Sequence, residues 1–150
     1  MTRRREKGFT LAELLVVSAL IGIGALLALP NLQETLRSAR LRAASLQLLA
    51  DLRLARSAAG ASQDQHELSF SGTSITITNL ADGTVEPGYQ SRALSGIASV
   101  AVAPAGRRIL FEPDGTSNGG TITLTGPPGG GPPRTAQIIV YRSGLSRVRS

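Results

Sequence analysis

The chain has 150 residues, 41% hydrophobic and 17% charged, with 16 Lys and Arg against 10 Asp and Glu and a formal net charge of +6. That length suits one domain, the apolar content is too high for a disordered chain, and 17 Gly without a triplet period exclude a collagen-like rod. The absence of Cys excludes a disulfide scaffold, a Cys-ligated zinc site and a thiol nucleophile, and the single His, His66, leaves little for a triad or a multi-His metal site. Aromatics at 3% leave almost no stacking surface for single-stranded nucleic acid. Composition thus tilts against an enzyme, and no residue set asks for a cofactor or a metal.

Residues 1–8 hold Arg3, Arg4, Arg5 and Lys7 against one acid, Glu6, and end in Gly8. Half of the net charge therefore sits in a short N-terminal tail. From Phe9 to Leu29 the sequence FTLAELLVVSALIGIGALLAL carries one charge, Glu13. As a helix this stretch would be roughly 31 Å long, enough to span a bilayer. The basic residues before it place the N-terminus in the cytoplasm and the rest outside. No small-residue cleavage site follows, so the stretch reads as a retained anchor and not as a cleaved secretory signal.

A carboxylate at position 13 of such a span costs roughly 2.5–3.5 kcal/mol if it lies centrally, which makes Glu13 a functional candidate in need of a partner. The run Lys7-Gly8-Phe9-Thr10-Leu11-Ala12-Glu13-Leu14-Leu15-Val16 resembles the processing segment of type IV prepilins and type II secretion pseudopilins. The resemblance implies cleavage after Gly8 by a prepilin peptidase, N-methylation of Phe9, and pairing of Glu13 with the N-terminal ammonium of a neighbouring subunit. Two charges in an apolar filament core are tolerable only when paired, which agrees. Pro30 matches a Pro common at this place in the family, and it removes a hydrogen bond to the Leu26 carbonyl, predicting a kink or loosening there.

Beyond Pro30, Leu32, Leu36, Ala39, Ala43, Leu46, Ala50 and Leu54 recur at helical spacing, with Arg37, Arg40, Arg53 and Arg56 off that stripe as a solvated face. The pattern fades at Ala59-Gly60. One helix over residues 9–59, apolar all round in its first half and amphipathic in its second, is the expectation.

From Glu67 the period becomes two. Leu68 and Phe70, then Thr73–Thr78, predict short strands with turns at Ser71-Gly72 and Ala81-Asp82-Gly83; residues 84–97 read as a loop, and Val100 with Val102 as a further strand. Arg108–Glu112 and Gly120–Thr125 read as a hairpin with a long loop, 126–133 (GPPGGGPP) as a surface loop, Thr135–Arg142 as a strand, and Leu145–Arg149 as a basic strand after the Ser143-Gly144 turn. The expected class is α+β: a long N-terminal helix packed on a small antiparallel sheet domain, organised as leader 1–8, transmembrane or filament-core helix 9–29, amphipathic helix 30–60 and β domain 61–150.

Gly115-Thr116-Ser117-Asn118-Gly119 fits G-x-S-x-G, but a strand follows it where a nucleophile elbow needs a helix, and it reads as a loop. His66 reads as an exposed or packing residue. The stretch from Ile109 through Gly126, with Phe111, Pro113 and Gly115, and the last turn at Gly144 resemble the H-type minor pseudopilins and the FimT-like minor pilins. Some FimT-like pilins bind DNA through a Gly-Arg-x-Arg turn; here the matching residues are Gly144, Leu145, Ser146 and Arg147, so Leu145 replaces the first Arg. Arg147 and Arg149 share one face of an alternating strand and are the candidate DNA contacts.

The sequence therefore reads as a non-enzymatic minor pilin or pseudopilin. It would be held in the bacterial inner membrane before joining a filament, with other pilins, the prepilin peptidase, the inner-membrane assembly platform and the membrane itself as partners. A DNA-binding minor pilin of an uptake pilus is the alternative within the same fold, and a simple membrane-anchored binding domain the alternative of another class.

Overall fold

The computed structural model describes residues 9–87, 89, 91–104, 106, 108–129 and 132–149, the side chains of 26–31 excepted. Gly8 and the Pro30 side chain lie outside the described residues. Helix α1 runs Leu11–Ser62, continuous through position 30, and the chain divides into two compact units between Thr35 and Leu36.

In the first unit the helical residues from Leu11 to Ala25 are exposed in the isolated chain, including Leu14, Val16, Leu20 and Ile23. Among the described residues no helix is long and apolar enough to cross a membrane. The apolar run of the sequence continues past Ala25 into 26–31, outside the described side chains.

In the second unit, eight strands follow the helix: β1 (His66–Ser71), β2 (Ser74–Asn79), β3 (Arg92–Ala93), β4 (Ser99–Ala103), β5 (Arg108–Phe111), β6 (Gly120–Thr125), β7 (Thr135–Val140) and β8 (Ser146–Arg149). They form two four-stranded antiparallel sheets, ordered β3-β2-β1-β5 and β4-β6-β7-β8. Strict alternation drives this. Ile75 and Ile77 of β2, and Ile122 and Leu124 of β6, are buried while the intervening Ser and Thr residues are partly exposed. Gly72 takes φ +64° in the two-residue connection that sets Ser71 opposite Ser74.

One apolar cluster joins Leu41, Ala44, Leu48, Leu52, Ala55 and Ala59 of α1 to Leu68, Phe70, Ile77, Ile109 and Phe111 of the first sheet and Val100, Ile122, Leu124, Ile138 and Val140 of the second. Each fully buried Leu or Ile stabilises the fold by roughly 1.5–3 kcal/mol, and alanines on the same face let the strands approach the helix closely.

The structure corrects four expectations. The stripe Leu32, Leu36, Ala39, Ala43, Leu46, Ala50 and Leu54 is the exposed side of α1, while the buried side is the one bearing Leu41, Leu48 and Leu52. The helix carries apolar residues nearly all round, so helical spacing alone does not distinguish the two faces. Strands β5 and β6 are not a hairpin, because β5 pairs β1 and β6 pairs β4 and β7, which splits the expected single sheet into two. The segment 84–97 contains β3, which pairs β2. Of the four arginines expected on a solvated face, Arg53 is exposed but Arg37, Arg40 and Arg56 meet other parts of the chain. Arg56 Nε donates to Gly115 O at 3.0 Å, Gly96 packs on the Arg40 side chain, and Gly129 packs on the guanidinium of Arg37.

Candidate functional site

The N-terminal motif is built around Thr10 and Glu13. Thr10 N–H donates to Glu13 Oε2 at 2.9 Å, and Glu13 N–H donates to Thr10 Oγ1 at 3.2 Å. This reciprocal arrangement is a capping box, which satisfies two backbone donors that α1 cannot satisfy itself and sets a carboxylate at the positive end of the helix dipole. Glu13 thus has a partner within its own chain. The T-x-x-E spacing was legible in the sequence, where the charge of Glu13 drew attention and Thr10 did not. Phe9, immediately before the cap, is exposed.

Two buried polar groups fasten the segment between β2 and β4. His66 is fully buried, with Nε2 at 2.7 Å from Glu86 Oε2 and Nδ1 at 3.2 Å from the Asp64 carbonyl oxygen. It is a packing residue with both ring nitrogens engaged, and neither an exposed residue nor part of a Ser-containing constellation. Asp51, on the core face of α1, accepts from Arg92 Nη2 at 2.5 Å, and Arg92 lies 5.8 Å from the Tyr89 ring centroid. Burial pushes the Asp51 carboxyl up, with the Arg92 charge opposing it. Burial first, and then the Asp51 charge, push the Tyr89 hydroxyl up to about 12. Among the described residues, Asp51 Oδ2 and the Tyr89 hydroxyl have no partner within good hydrogen-bond geometry. The pairs His66–Glu86 and Asp51–Arg92 do not follow from spacing, since they join residues 20 and 41 positions apart.

At the C-terminal end of α1 the loops following β5 and β7 meet. Ser117, the serine of the G-x-S-x-G match, is buried, donates from Oγ to the Tyr141 carbonyl at 2.8 Å and accepts Gly119 N–H at 3.1 Å. Its hydroxyl ties the two loops together and has no histidine among its partners. Gly144, at φ +74°, sits directly on the Gly115 carbonyl, the same oxygen that accepts from Arg56. Beside this junction lies an open cleft of about 570 Å³ lined by Arg53, Arg56, Pro113, Asp114, Leu145 and Ser146, among others. Asp114 accepts from Thr116 N–H at 2.8 Å and from its hydroxyl at 2.6 Å, and these bonds hold its carboxyl below the ordinary range.

Arg147 and Arg149 are exposed on one face of β8, opposite Ile139 and Gln137 of β7, with Val148 on the other face. They line a recess of about 450 Å³ with Ile139 and Tyr141, distinct from the cleft at Arg53. Leu145 is exposed where the DNA-binding turn would carry Arg.

A long N-terminal helix packed on antiparallel sheets defines a protein of the pilin-like α+β class. The family model described as Type II transport protein GspH matches residues 44–144, and that of the prokaryotic N-terminal methylation motif matches residues 3–29. The chain belongs to the GspH family of minor pilins and pseudopilins, structural subunits of type II secretion systems and type IV pili. Among solved structures it is similar to the type IV minor pilin FimU of Pseudomonas aeruginosa, in two crystal forms. Their TM-scores are 0.61 and 0.58 at 17% and 18% identity, over 75% and 73% of this chain and 90% and 93% of that one. It is also similar to the minor pseudopilin EpsH from the Type 2 Secretion System of Vibrio cholerae, with a TM-score of 0.56 at 13% identity, over 74% of this chain and 97% of that one. At these identities the likeness is one of fold. No curated protein matches the chain significantly.

Proposed function

We propose that this protein is a non-enzymatic minor pilin or pseudopilin. It is held in the bacterial inner membrane with its N-terminus in the cytoplasm, cleaved after Gly8 by a prepilin peptidase, N-methylated on Phe9 and drawn by the inner-membrane assembly platform into a filament of related subunits. Residues 1–8 are the leader, 9–29 the membrane and filament-core helix, 30–60 the continuation of that helix and 61–150 the β domain. Glu13 and Pro30 serve subunit assembly.

The observation that carries this reading is the exposed side of α1. In the second unit Leu36, Leu46 and Leu54 are each more than two-fifths exposed, and in the first unit, taken by itself, Leu14, Val16, Leu20 and Ile23 are exposed as well. A run of solvent-facing leucines on one helix, with the opposite side packed on sheets, fits helix-to-helix packing against neighbouring subunits. The test is intact mass and N-terminal sequencing of the protein from cells with an active prepilin peptidase. A chain beginning at N-methyl-Phe9 is expected, and one still beginning at Met1 refutes processing.

A second reading rests on Arg147 and Arg149, exposed side by side and without ion pairs among the described residues. If they contact phosphates, binding to duplex DNA is independent of sequence, and replacing both by Ala lowers the salt slope by about 2. Absence of a complex in low-salt gel shifts, for both the natural protein and Leu145→Arg, removes that reading.

A further inference from the structure

From the cleft between the C-terminal end of α1 and the two loops, we infer a docking site for an extended acidic and apolar peptide segment of a partner protein, gripped by Arg53 and Arg56. The inference deepens the minor-pilin reading by naming the chemistry of a partner, and it rests on that reading only for where the partner is met.

The first argument is charge. In the described β domain and the adjoining helix the acids are already engaged: Asp51 with Arg92, Asp64 with Asn79, Glu67 with Arg108, Glu86 with His66, Glu112 with Gln65, and Asp82 and Asp114 with their neighbouring threonines. Arg53, exposed at the cleft, makes no hydrogen bond or ion pair among the described residues. Arg56 spends Nε on Gly115 O, which fixes the plane of its guanidinium and leaves the Nη donors for a ligand. Three residues apart on one helix, the two cations project to the same side. The single carboxylate at the cleft, Asp114, is turned to Thr116, so an incoming carboxylate meets a net positive recess.

The second argument is shape and polarity. At about 570 Å³ the cleft is far larger than one small anion needs, and its rim carries the exposed Leu145 and the half-buried Pro113. A fixed guanidinium beside an exposed leucine suits a chain that offers a carboxylate and an apolar side chain together. The floor is pre-organised: Gly144 rests on Gly115, and Ser117 ties both loops, so little ordering accompanies binding. The arginine pair of β8, the candidate nucleic-acid contacts, lines a separate recess.

The experiment uses the full chain in detergent micelles and measures fluorescence anisotropy of a labelled peptide of alternating Glu and Leu. Its Gln-for-Glu counterpart and a duplex oligonucleotide serve as competitors. Saturable binding is expected, at least about tenfold tighter than for the Gln peptide and weakened by salt. Arg53→Glu, an exposed change that leaves the fold intact, should abolish that preference, while the Arg147→Ala, Arg149→Ala double variant should not alter it. Absence of saturable binding, equal affinity for the Gln peptide, or unchanged binding by Arg53→Glu overturns the inference, as does displacement of the peptide by the duplex with an affinity that Arg53→Glu reduces. Each of these leaves the Phe9 N-terminus, and so the minor-pilin reading, untouched.

Discussion

Gly144 lies directly on the carbonyl oxygen of Gly115, 29 residues earlier, and a Cβ at Gly144 would also meet Arg56 Nε at 2.9 Å. Two loops from different sheets thereby converge on one oxygen, which Arg56 of α1 also binds. Backbone approach of this kind requires glycine on steric grounds as well as for its φ of +74°.

Gly144→Ala should therefore destabilise the protein by about 2 kcal/mol or more, adding overpacking to backbone strain. Gly72→Ala is the comparison, since Gly72 also has positive φ but open space around it. That change should cost only about 1 kcal/mol. Thermal unfolding of the two variants separates the effects, and equal losses would refute the packing argument.

The two sides of α1 should respond differently to truncation. Leu48→Ala, at a fully buried position, should cost about 2–5 kcal/mol. Leu46→Ala, on the exposed side, should change stability by less than about 0.5 kcal/mol yet reduce incorporation into filaments. Denaturant unfolding and filament fractionation measure the two outcomes; normal incorporation of Leu46→Ala would remove the assembly role of that side.

Asp51 and Asp114 should shape the pH profile in opposite ways. Burial raises the Asp51 carboxyl above its ordinary 3.8, so the folded state holds the extra proton. Its contribution is full below 3.8 and is lost as pH rises through the folded-state value. Asp51→Asn should flatten that decline, whereas Arg92→Ala, which removes the opposing cation, should steepen it and lower stability at neutral pH. Asp114 is shifted down by its bonds to Thr116, so its contribution is present above 3.8 and is lost as pH falls through its lower folded-state value. Asp114→Ala should flatten only that acid limb. Unfolding curves collected from pH 3 to 8 test both signs.

Glu13 carries two roles that a pair of variants separates. Glu13→Ala removes the two bonds that the carboxylate accepts from Thr10 and any charge offered to a neighbouring ammonium, while the backbone N–H at position 13 still donates to Thr10 Oγ1. Glu13→Gln keeps an acceptor for the Thr10 N–H while losing the charge. If assembly needs the charge, both variants fail to join filaments; if it needs only the cap, Glu13→Gln assembles and Glu13→Ala does not. Membrane insertion should be retained in both, because the desolvation cost of the carboxylate is gone.

The alternation of Ile, Leu and Thr in β2 and β6, the helical run from Leu11, and the T-x-x-E cap at Thr10 and Glu13 were all determined by the sequence, because each depends on neighbours within a few residues. The motif of residues 7–16 likewise pointed to the family without reference to the fold. What only the tertiary structure decided is long-range. Leu46 and Leu48 are equally good helix residues and equally apolar, and which of them is buried depends on where the sheets settle. Strands β5 and β6 follow each other closely and still join different sheets, because β5 completes an edge beside β1 while β6 is taken between β4 and β7. The partnerships of His66 with Glu86, Asp51 with Arg92 and Arg56 with Gly115 arise where the folded chain excludes water, so that a polar group must find a bond among whatever lies near it. No local period encodes those meetings.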